Sequence, residues 1–396
     1  MKRICFTGLI LIILFNVFTF TAAAGGVAGL GHYFSVREGL EAVMGNPAFV
    51  NPEDDFFVLE IGAGAGVWNN ALKSENLQEF LDEDKKSEIL RQVEDKGMMV
   101  AGDGAQNLSL LLGNAGLYTG AREHVSGTIS SDVVELLLEG NELDRVYSLE
   151  GTGGDVALYT DTGINVSLAL ESMARALELE QFKLGVTGRF LYGGFGYVDG
   201  IGEFEITSDG KIRGYEDGHL ELEYAERARG NAFDVGIQAR KSERFVLGAA
   251  VMNIGSLEAE EAYRRRYEYN EAEEEFQDSG EESLSELSYT LPRKYKLGLK
   301  YSPFRKLDIY GDYTRRAFDN CSDESIFAAG MELRPAGVLP LRMGANYSTF
   351  RGDIAFSTGL GLHLGPLQVD AGVSDLKFFT GSAKSARVSI GTRLAF

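Results

Sequence analysis

The sequence predicts an all-β fold: a transmembrane antiparallel up-and-down β-barrel of about 14 strands, with roughly 12 to 16 allowed. Apolar and polar residues alternate strictly through the C-terminal part of the chain, and the spacing there leaves room only for hairpin loops. After residue 24, no stretch approaches the roughly 18 consecutive apolar residues that a membrane-spanning helix needs. Because lipid admits only helices and closed barrels, a membrane protein with these features would span as a barrel.

Residues 1–24 have the pattern of a secretory signal peptide. Lys2 and Arg3 precede an apolar run, Ile4–Phe20, and small residues at 21–24 supply a cleavage site. Cys321 is then the only cysteine of the mature chain, which excludes an internal disulfide. The chain carries 38 basic against 59 acidic residues, a formal charge of −21. Such a surface repels nucleic acid, so we expect no nucleic-acid partner.

Between residues 56 and 254 the alternation is less regular, but strands are still expected. The predicted strands are Phe56–Trp68, Ala105–Leu112, Leu117–Ser126, Gly154–Glu171, Phe182–Tyr192, Phe233–Arg240 and Phe245–Ile254. Residues 196–228 are rich in glycine and predict a hairpin, which either spans the bilayer or extends beyond it.

Three segments interrupt this pattern. Helical spacing of apolar residues predicts one helix near 74–94 and a second near 130–139. Residues 257–288 are rich in glutamate around Arg264–Arg266 and predict a long acidic loop at one mouth of the barrel. Clustered carboxylates could bind calcium or bridge lipopolysaccharide. The spacing does not match an EF-hand, so a solvated loop without a metal is the favoured interpretation.

Seven consecutive strands from Lys294 to the C-terminus have one apolar face and one face of charged residues and glycine. A soluble sandwich with its charged face in water would show the same alternation, but the signal peptide and strand count favour lipid outside and charges in the lumen. The predicted lumen-facing charges are Lys294, Lys296, Lys300, Lys306, Asp308, Asp312, Glu332, Arg334, Arg342, Asp370, Arg387 and Arg393. They could line a polar conduit or pair across strands; lysines beside aspartates on the neighbouring strand favour pairing.

The last strand has Val388, Ile390, Leu394 and Phe396 on its apolar face. Ser389, Gly391, Leu394 and the terminal Phe396 together resemble the C-terminal signal of bacterial outer-membrane β-barrels. The resemblance implies an outer-membrane location, with outer-membrane lipid and the barrel-assembly machinery as partners. We expect this strand to pair with Phe56–Trp68, because an open edge is not tolerated in lipid.

Residues 37–48, which end in Asn46-Pro47-Ala48, are similar to the N-terminal region of the FadL-like superfamily. Further matches follow in order at Val251–Gly255, Leu291–Pro292, Leu297–Tyr301, Leu341–Ala345 and Thr358–Leu362. That group includes fatty-acid and hydrocarbon transporters, PorV-type proteins of a secretion system and TraF-like members. The resemblance implies a fourteen-stranded barrel over 56–396, with residues 25–55 folded into the lumen as a hatch that contains Asn46, Pro47 and Ala48.

Two functions follow from that resemblance. The first is an outer-membrane channel for uptake of hydrophobic or amphipathic small molecules; the alternative is a non-transporting barrel that acts as a secretion or envelope scaffold. An outer-membrane hydrolase would need a serine and a histidine at one strand rim. None of the four histidines, His32, His124, His219 and His363, stands beside a plausible nucleophile, so we expect no enzyme. The glycine-rich stretch Gly62–Gly66 lacks the Gly-Lys-Ser/Thr ending of a phosphate-binding loop, so we do not interpret it as one. We expect no cofactor and no metal.

Overall fold

The computed structural model describes residues 30, 32, 34–39, 42, 45–50, 57–77, 82–140, 142–206, 212–270, 275–318 and 323–396. The predicted signal peptide lies outside the described residues. The strands are β1 (Phe57–Asn69), β2 (Met98–Leu112), β3 (Ala115–Ile129), β4 (Arg145–Ser148), β5 (Gly153–Ala169), β6 (Gln181–Ile206), β7 (Ile212–Ser242), β8 (Phe245–Ala259), β9 (Ala262–Asn270), β10 (Glu275–Leu284), β11 (Leu287–Thr290), β12 (Arg293–Phe304), β13 (Leu307–Ala317), β14 (Glu324–Leu333), β15 (Leu341–Ser348), β16 (Asp353–Leu364), β17 (Leu367–Ser374) and β18 (Ser385–Ala395).

Fourteen of these strands form a closed antiparallel ring, which confirms the predicted fold class. The ring runs β1-β2-β3-β5-β6-β7-β8-β12-β13-β14-β15-β16-β17-β18 and closes where β18 pairs with β1. The closing register runs from Val58 opposite Ala395 to Trp68 opposite Ser385, as the sequence predicted for the terminal strand. All barrel strands are therefore hydrogen-bonded on both sides, which is the condition for a sheet in lipid.

The two ends of the barrel differ. At one end, which we call the short-turn end, β2–β3, β7–β8, β12–β13 and β16–β17 are joined by turns of two residues. At the other, the long-loop end, the connections carry helices and additional strands. Outward positions between the two ends hold exposed apolar side chains, among them Leu297, Phe327 and Leu360. This outer surface is the pattern expected of a barrel wall that faces hydrocarbon.

The acidic segment 257–288 is not the loop that the sequence predicted. It contains β9 and β10, which pair with each other, and β9 also pairs with the outer part of β7. β11 pairs with the end of β8. Residues 196–228 form the second of the two predicted alternatives, because β6 and β7 continue past the barrel and pair with β4 and β9 there. A sheet of five strands in the order β4-β6-β7-β9-β10 thus projects from the long-loop end.

Three α-helices lie in the connections. α1 (Glu83–Val93) and α2 (Ser131–Glu139) are at the long-loop end, whereas α3 (Glu171–Ala176) joins β5 to β6 at the short-turn end. Short 3-10 helices span Pro47–Phe49, Ser74–Leu77 and Leu376–Thr380. The single helix predicted over 74–94 is therefore shorter, since the α-helical part begins after Asp82, whose carboxylate accepts from Lys85 N as an N-cap. The helix predicted at 130–139 is confirmed. Of the helices described here, none has the length and apolar content required to cross a membrane.

Candidate functional site

The described residues between Leu30 and Val50, which we call the N-terminal segment, lie inside the barrel against inward-facing glycines. A Cβ atom added at any of these glycines would contact the segment at 3.0 Å or less. They belong to β6, β7, β8, β12, β14 and β15 and are Gly185, Gly236, Gly248, Gly298, Gly330 and Gly344. Glycine thus makes room in the wall for a second layer of backbone.

Asn46 fixes the segment to the wall. It is fully buried, and its Nδ2 donates towards the carbonyl oxygens of Ser35, Ile237 and Ala249 at 3.0–3.2 Å. Its Oδ1 accepts from Ala48 N at 3.0 Å, which caps the 3-10 helix that starts at Pro47. The amide therefore serves as both a helix cap and a bridge to the carbonyls of β7 and β8.

A second attachment is made by Asp312 on β13. Its Oδ2 accepts from Ser35 N at 2.7 Å and from Ser35 Oγ at 2.6 Å. Its Oδ1 lies 2.9 Å from His32 Nε2 and 3.7 Å from Lys296 Nζ. The carboxylate is buried, and it needs these donors because an unpaired buried charge is strongly unfavourable.

Ion pairs continue towards the short-turn end. Glu332 on β14 accepts from Arg37 of the N-terminal segment at 2.9 Å, from Arg342 at 2.7 Å and from Arg334 at 2.8 Å. Arg342 also donates to Asp370 at 2.5 Å. Acidic and basic groups on neighbouring strands are thus paired rather than open to a conduit, which is the pairing alternative inferred from the sequence.

The segment also reaches the opposite wall. Gly39 has a left-handed φ of 77°, and a Cβ there would lie 2.6 Å from Glu60 Oε1 on β1. Asn165 on β5 donates to Pro47 O at 3.1 Å. Since contacts extend from β1 through β5 to β15, the segment spans the lumen.

A further cluster lies beyond the segment, towards the long-loop end. Asp161 on β5 accepts from Arg122 at 3.1 Å and from Arg189 at 2.6 Å. Arg189 also donates to Asn253 Oδ1 at 2.6 Å, and Asp234 accepts from Asn253 N at 2.7 Å. Asn253 has a left-handed φ of 63° at the bulge between β7 and β8. These residues were absent from the predicted lumen set, although alternation along β5 and β6 carried the signal.

Most of the predicted lumen charges lie on inward positions and are buried or half-buried. Lys300 is 3.7 Å from Asp308, Arg387 donates to Asp103 at 2.5 Å, and Arg393 is 3.4 Å from Glu60. Lys306 is an error of the sequence prediction. It stands in the exposed turn between β12 and β13, where its Nζ donates to Pro335 O, because β13 begins at Leu307, one residue later than the alternation suggested.

The remaining predicted site residues occupy the last strand and the histidine positions. Ser389 and Gly391 alternate with exposed side chains, and Phe396 is exposed beside Phe57 at a ring distance of 6.2 Å. His363 Nε2 lies 3.2 Å from Asp370 Oδ1, the oxygen that also accepts from Arg342. Among the described residues no group of three His, Cys, Asp or Glu could hold a metal ion.

The comparisons with known proteins address the fold. No family model matches the chain, and no curated protein matches it. Solved structures do match over almost the full length. The chain is similar to the toluene transporter TbuX of Ralstonia pickettii, with a TM-score of 0.52 at 14% identity over 95% of this chain and 96% of that one.

Two further structures agree. The monoaromatic hydrocarbon channel CymD has a TM-score of 0.55 at 14% identity, over 94% of this chain and 98% of that one. A FadL homologue of Pseudomonas aeruginosa has a TM-score of 0.54 at 12% identity, over 95% and 99%. The chain has the FadL fold. The FadL resemblance inferred from the sequence is confirmed at that level, and two of these three neighbours are a toluene transporter and a monoaromatic hydrocarbon channel.

Proposed function

We propose that the protein is an outer-membrane channel for the uptake of hydrophobic or amphipathic small molecules, with the N-terminal segment as its hatch. The observation that carries the proposal is the seat of this segment. It spans the lumen, it is held by polar contacts and by the packing of buried apolar side chains such as Phe34 and Phe49, and the wall has glycines where it lies. A segment held in this way by non-covalent contacts can be displaced from the wall.

Opening would require the contacts of Asn46 and Asp312 to break. Each neutral hydrogen bond contributes about 0.5–1.5 kcal/mol and each bond to a charged group about 1.5–3 kcal/mol. These bonds add to the packing of the buried apolar side chains, among them Leu30, Phe34 and Phe49, and a ligand that binds in the lumen would have to offset both. The outer surface supports the membrane location, because exposed apolar side chains cover the outward positions of the ring.

Uptake into liposomes tests the proposal. Purified protein is reconstituted, and entry of a fluorescent fatty acid and of radiolabelled toluene is followed against protein-free liposomes. A channel of this kind raises the entry rate of at least one probe above the control, and a variant lacking residues 25–50 changes that rate. Equal rates with and without protein for both probes would rule the proposal out.

A second candidate is the non-transporting scaffold. It is favoured by the extent of charge pairing in the lumen and by the five-stranded sheet that projects from the long-loop end. In that case a specific protein partner would be retained after cross-linking through the projecting sheet, and uptake of both probes would equal the protein-free control.

A further inference from the structure

Beyond the N-terminal segment the lumen is crossed a second time. Asp103 lies on β2 and Arg316 on β13, and six strands of the ring separate these two strands in either direction. Even so, Arg316 Nη2 is 3.7 Å from Asp103 Oδ2. The N-terminal segment contacts β13 at Asp312 and at Thr314, whose Oγ1 lies 3.1 Å from His32 Nε2. Arg316 is two residues beyond Thr314 towards the long-loop end, about 7 Å along the strand, so the second crossing forms the adjacent layer of the lumen.

Several groups hold this crossing. Arg316 lies over the indole ring of Trp68 on β1, with 5.3 Å from its guanidinium carbon to the ring centroid, and Arg387 lies over the same ring at 5.8 Å. Arg387 also donates to Asp103 at 2.5 Å, and Glu324 is 3.4 Å from Arg316. Stacking of guanidinium on indole is favourable by about 0.5–2 kcal/mol per pair. We call these five residues the arginine latch.

An aromatic stack adds to the same layer. His124 on β3 lies parallel to Phe318, which follows β13, with ring centroids 5.9 Å apart. Trp68 also packs with Met99 and Phe350 in a buried cluster. One layer of the lumen thus contains side chains from six strands, namely β1, β2, β3, β13, β14 and β18. Arg316 reaches this layer from the wall opposite Asp103.

We propose that the arginine latch is a gate at the long-loop end, independent of the N-terminal segment, and that Arg316 is its moving part. This inference rests on the proposed channel function and adds a second closed point to it. A molecule entering from the long-loop end would first have to displace Arg316 from Asp103 and Trp68. It would then meet the N-terminal segment, which is the second closed point on its path.

Cysteine accessibility tests the gate without measuring uptake. Ala105 faces inward on β2, two residues from Asp103 towards the short-turn end, and is buried. In a Cys321→Ser background, Ala105→Cys is exposed to a membrane-impermeant thiol reagent added at the long-loop end, and the labelling rate is measured. Labelling should be slow with Arg316 present and at least tenfold faster with Arg316→Ala.

Two further variants make the result specific. Asp103→Asn keeps the side-chain volume but removes the charge, so it should raise the rate in the same direction even if Arg316→Ala folds poorly. Arg315→Ala is the matched control, since Arg315 is the next residue in the chain, is more than half exposed and pairs with Asp323 outside the lumen. Its labelling rate should not change. Heat-modified migration in gels reports whether each variant is folded.

Rapid labelling with Arg316 intact, or equally slow labelling in folded Arg316→Ala and Asp103→Asn, would overturn the gate. Either result can occur whether or not the protein takes up fatty acid or toluene. A failed gate is therefore distinguishable from a failed channel.

Discussion

Replacement of Asn46 by alanine should release the N-terminal segment. The amide supplies two N–H groups to buried carbonyl oxygens and one oxygen to Ala48 N. Alanine removes all three capacities, and at about 0.5–1.5 kcal/mol each the seated state loses about 3 kcal/mol. Since 1.4 kcal/mol is a factor of ten, the unseated population should rise on the order of 100-fold.

Trypsin offers a direct assay of that population. Arg37 belongs to the segment, and its side chain, 16% exposed, pairs with Glu332. Cleavage after Arg37 in folded protein therefore requires the segment to leave the wall, and its rate follows the unseated population when reseating is fast. We expect about 100-fold faster cleavage after Arg37 in Asn46→Ala, read by mass spectrometry of a fragment that begins at Glu38.

Two variants sharpen this result. Asn46→Asp keeps the acceptor for Ala48 N but lacks the N–H donors, so its cleavage should be accelerated as well. Asn231→Ala changes an exposed outward residue of β7 and should leave the rate as in the unmodified protein. If cleavage after Arg37 is unchanged in Asn46→Ala while the barrel stays folded, the contacts of Asn46 do not hold the segment and the reasoning is refuted.

Two other predictions concern the seat and the long-loop end. Gly236→Val places a Cβ inside the contact distance of Asn46 Oδ1 and should accelerate the same cleavage, whereas Gly311→Ala, which would meet Leu299 no closer than 3.5 Å, should not. Arg145 donates to Glu135 on α2 and lowers the pKa of that carboxyl. The pair therefore stabilises α2 fully above the ordinary carboxyl pKa of 4.5, and this contribution is lost as the pH falls through the lowered value. At acid pH the free energy of opening α2 should fall by no more than about 1 kcal/mol, which hydrogen exchange of its amides measures. Arg145→Ala should abolish this pH dependence.

The barrel itself could be predicted because its physics is local. Alternation along each strand can be recognised without knowing its partners. The last strand must pair with the first, because an open strand edge is not tolerated in lipid. The projecting sheet could not be predicted in this way. In β9, Arg264, Arg265 and Arg266 place charges on both faces, so alternation is lost, and this strand forms by pairing with β7, which is distant in sequence.

The candidate site could be predicted only in part from the sequence. Asp312, Glu332 and Arg342 were identified as inward charges, and pairing was the favoured alternative. Their contacts with His32, Ser35 and Arg37 could not be inferred, because these join residues nearly 300 positions apart. The arginine latch was missed for the same reason: nothing in the local pattern of β2 or β13 shows that two opposite walls meet at Asp103 and Arg316.

The inward-facing glycines that contact the N-terminal segment were a signal that the sequence already contained. Glycines at inward positions of neighbouring strands, such as Gly236, Gly248 and Gly298, leave a wall without side chains. Such a wall leaves a space inside the barrel, and because protein interiors are close-packed, another part of the chain is expected to fill it.

The measurement that tests the hatch most directly is uptake with the N-terminal segment locked to the wall. Ser35 Oγ and Asp312 Oδ2 are 2.6 Å apart, so cysteines at these two positions can be joined by a short bis-methanethiosulfonate cross-linker, whose disulfide bonds a reductant cleaves. Ser35→Cys with Asp312→Cys, in a Cys321→Ser background and treated with this cross-linker, should take up fatty acid or toluene only after reduction, while the two single-cysteine variants are indifferent to reductant. Uptake that is equally fast in the cross-linked, locked protein would contradict the claim that the segment must move.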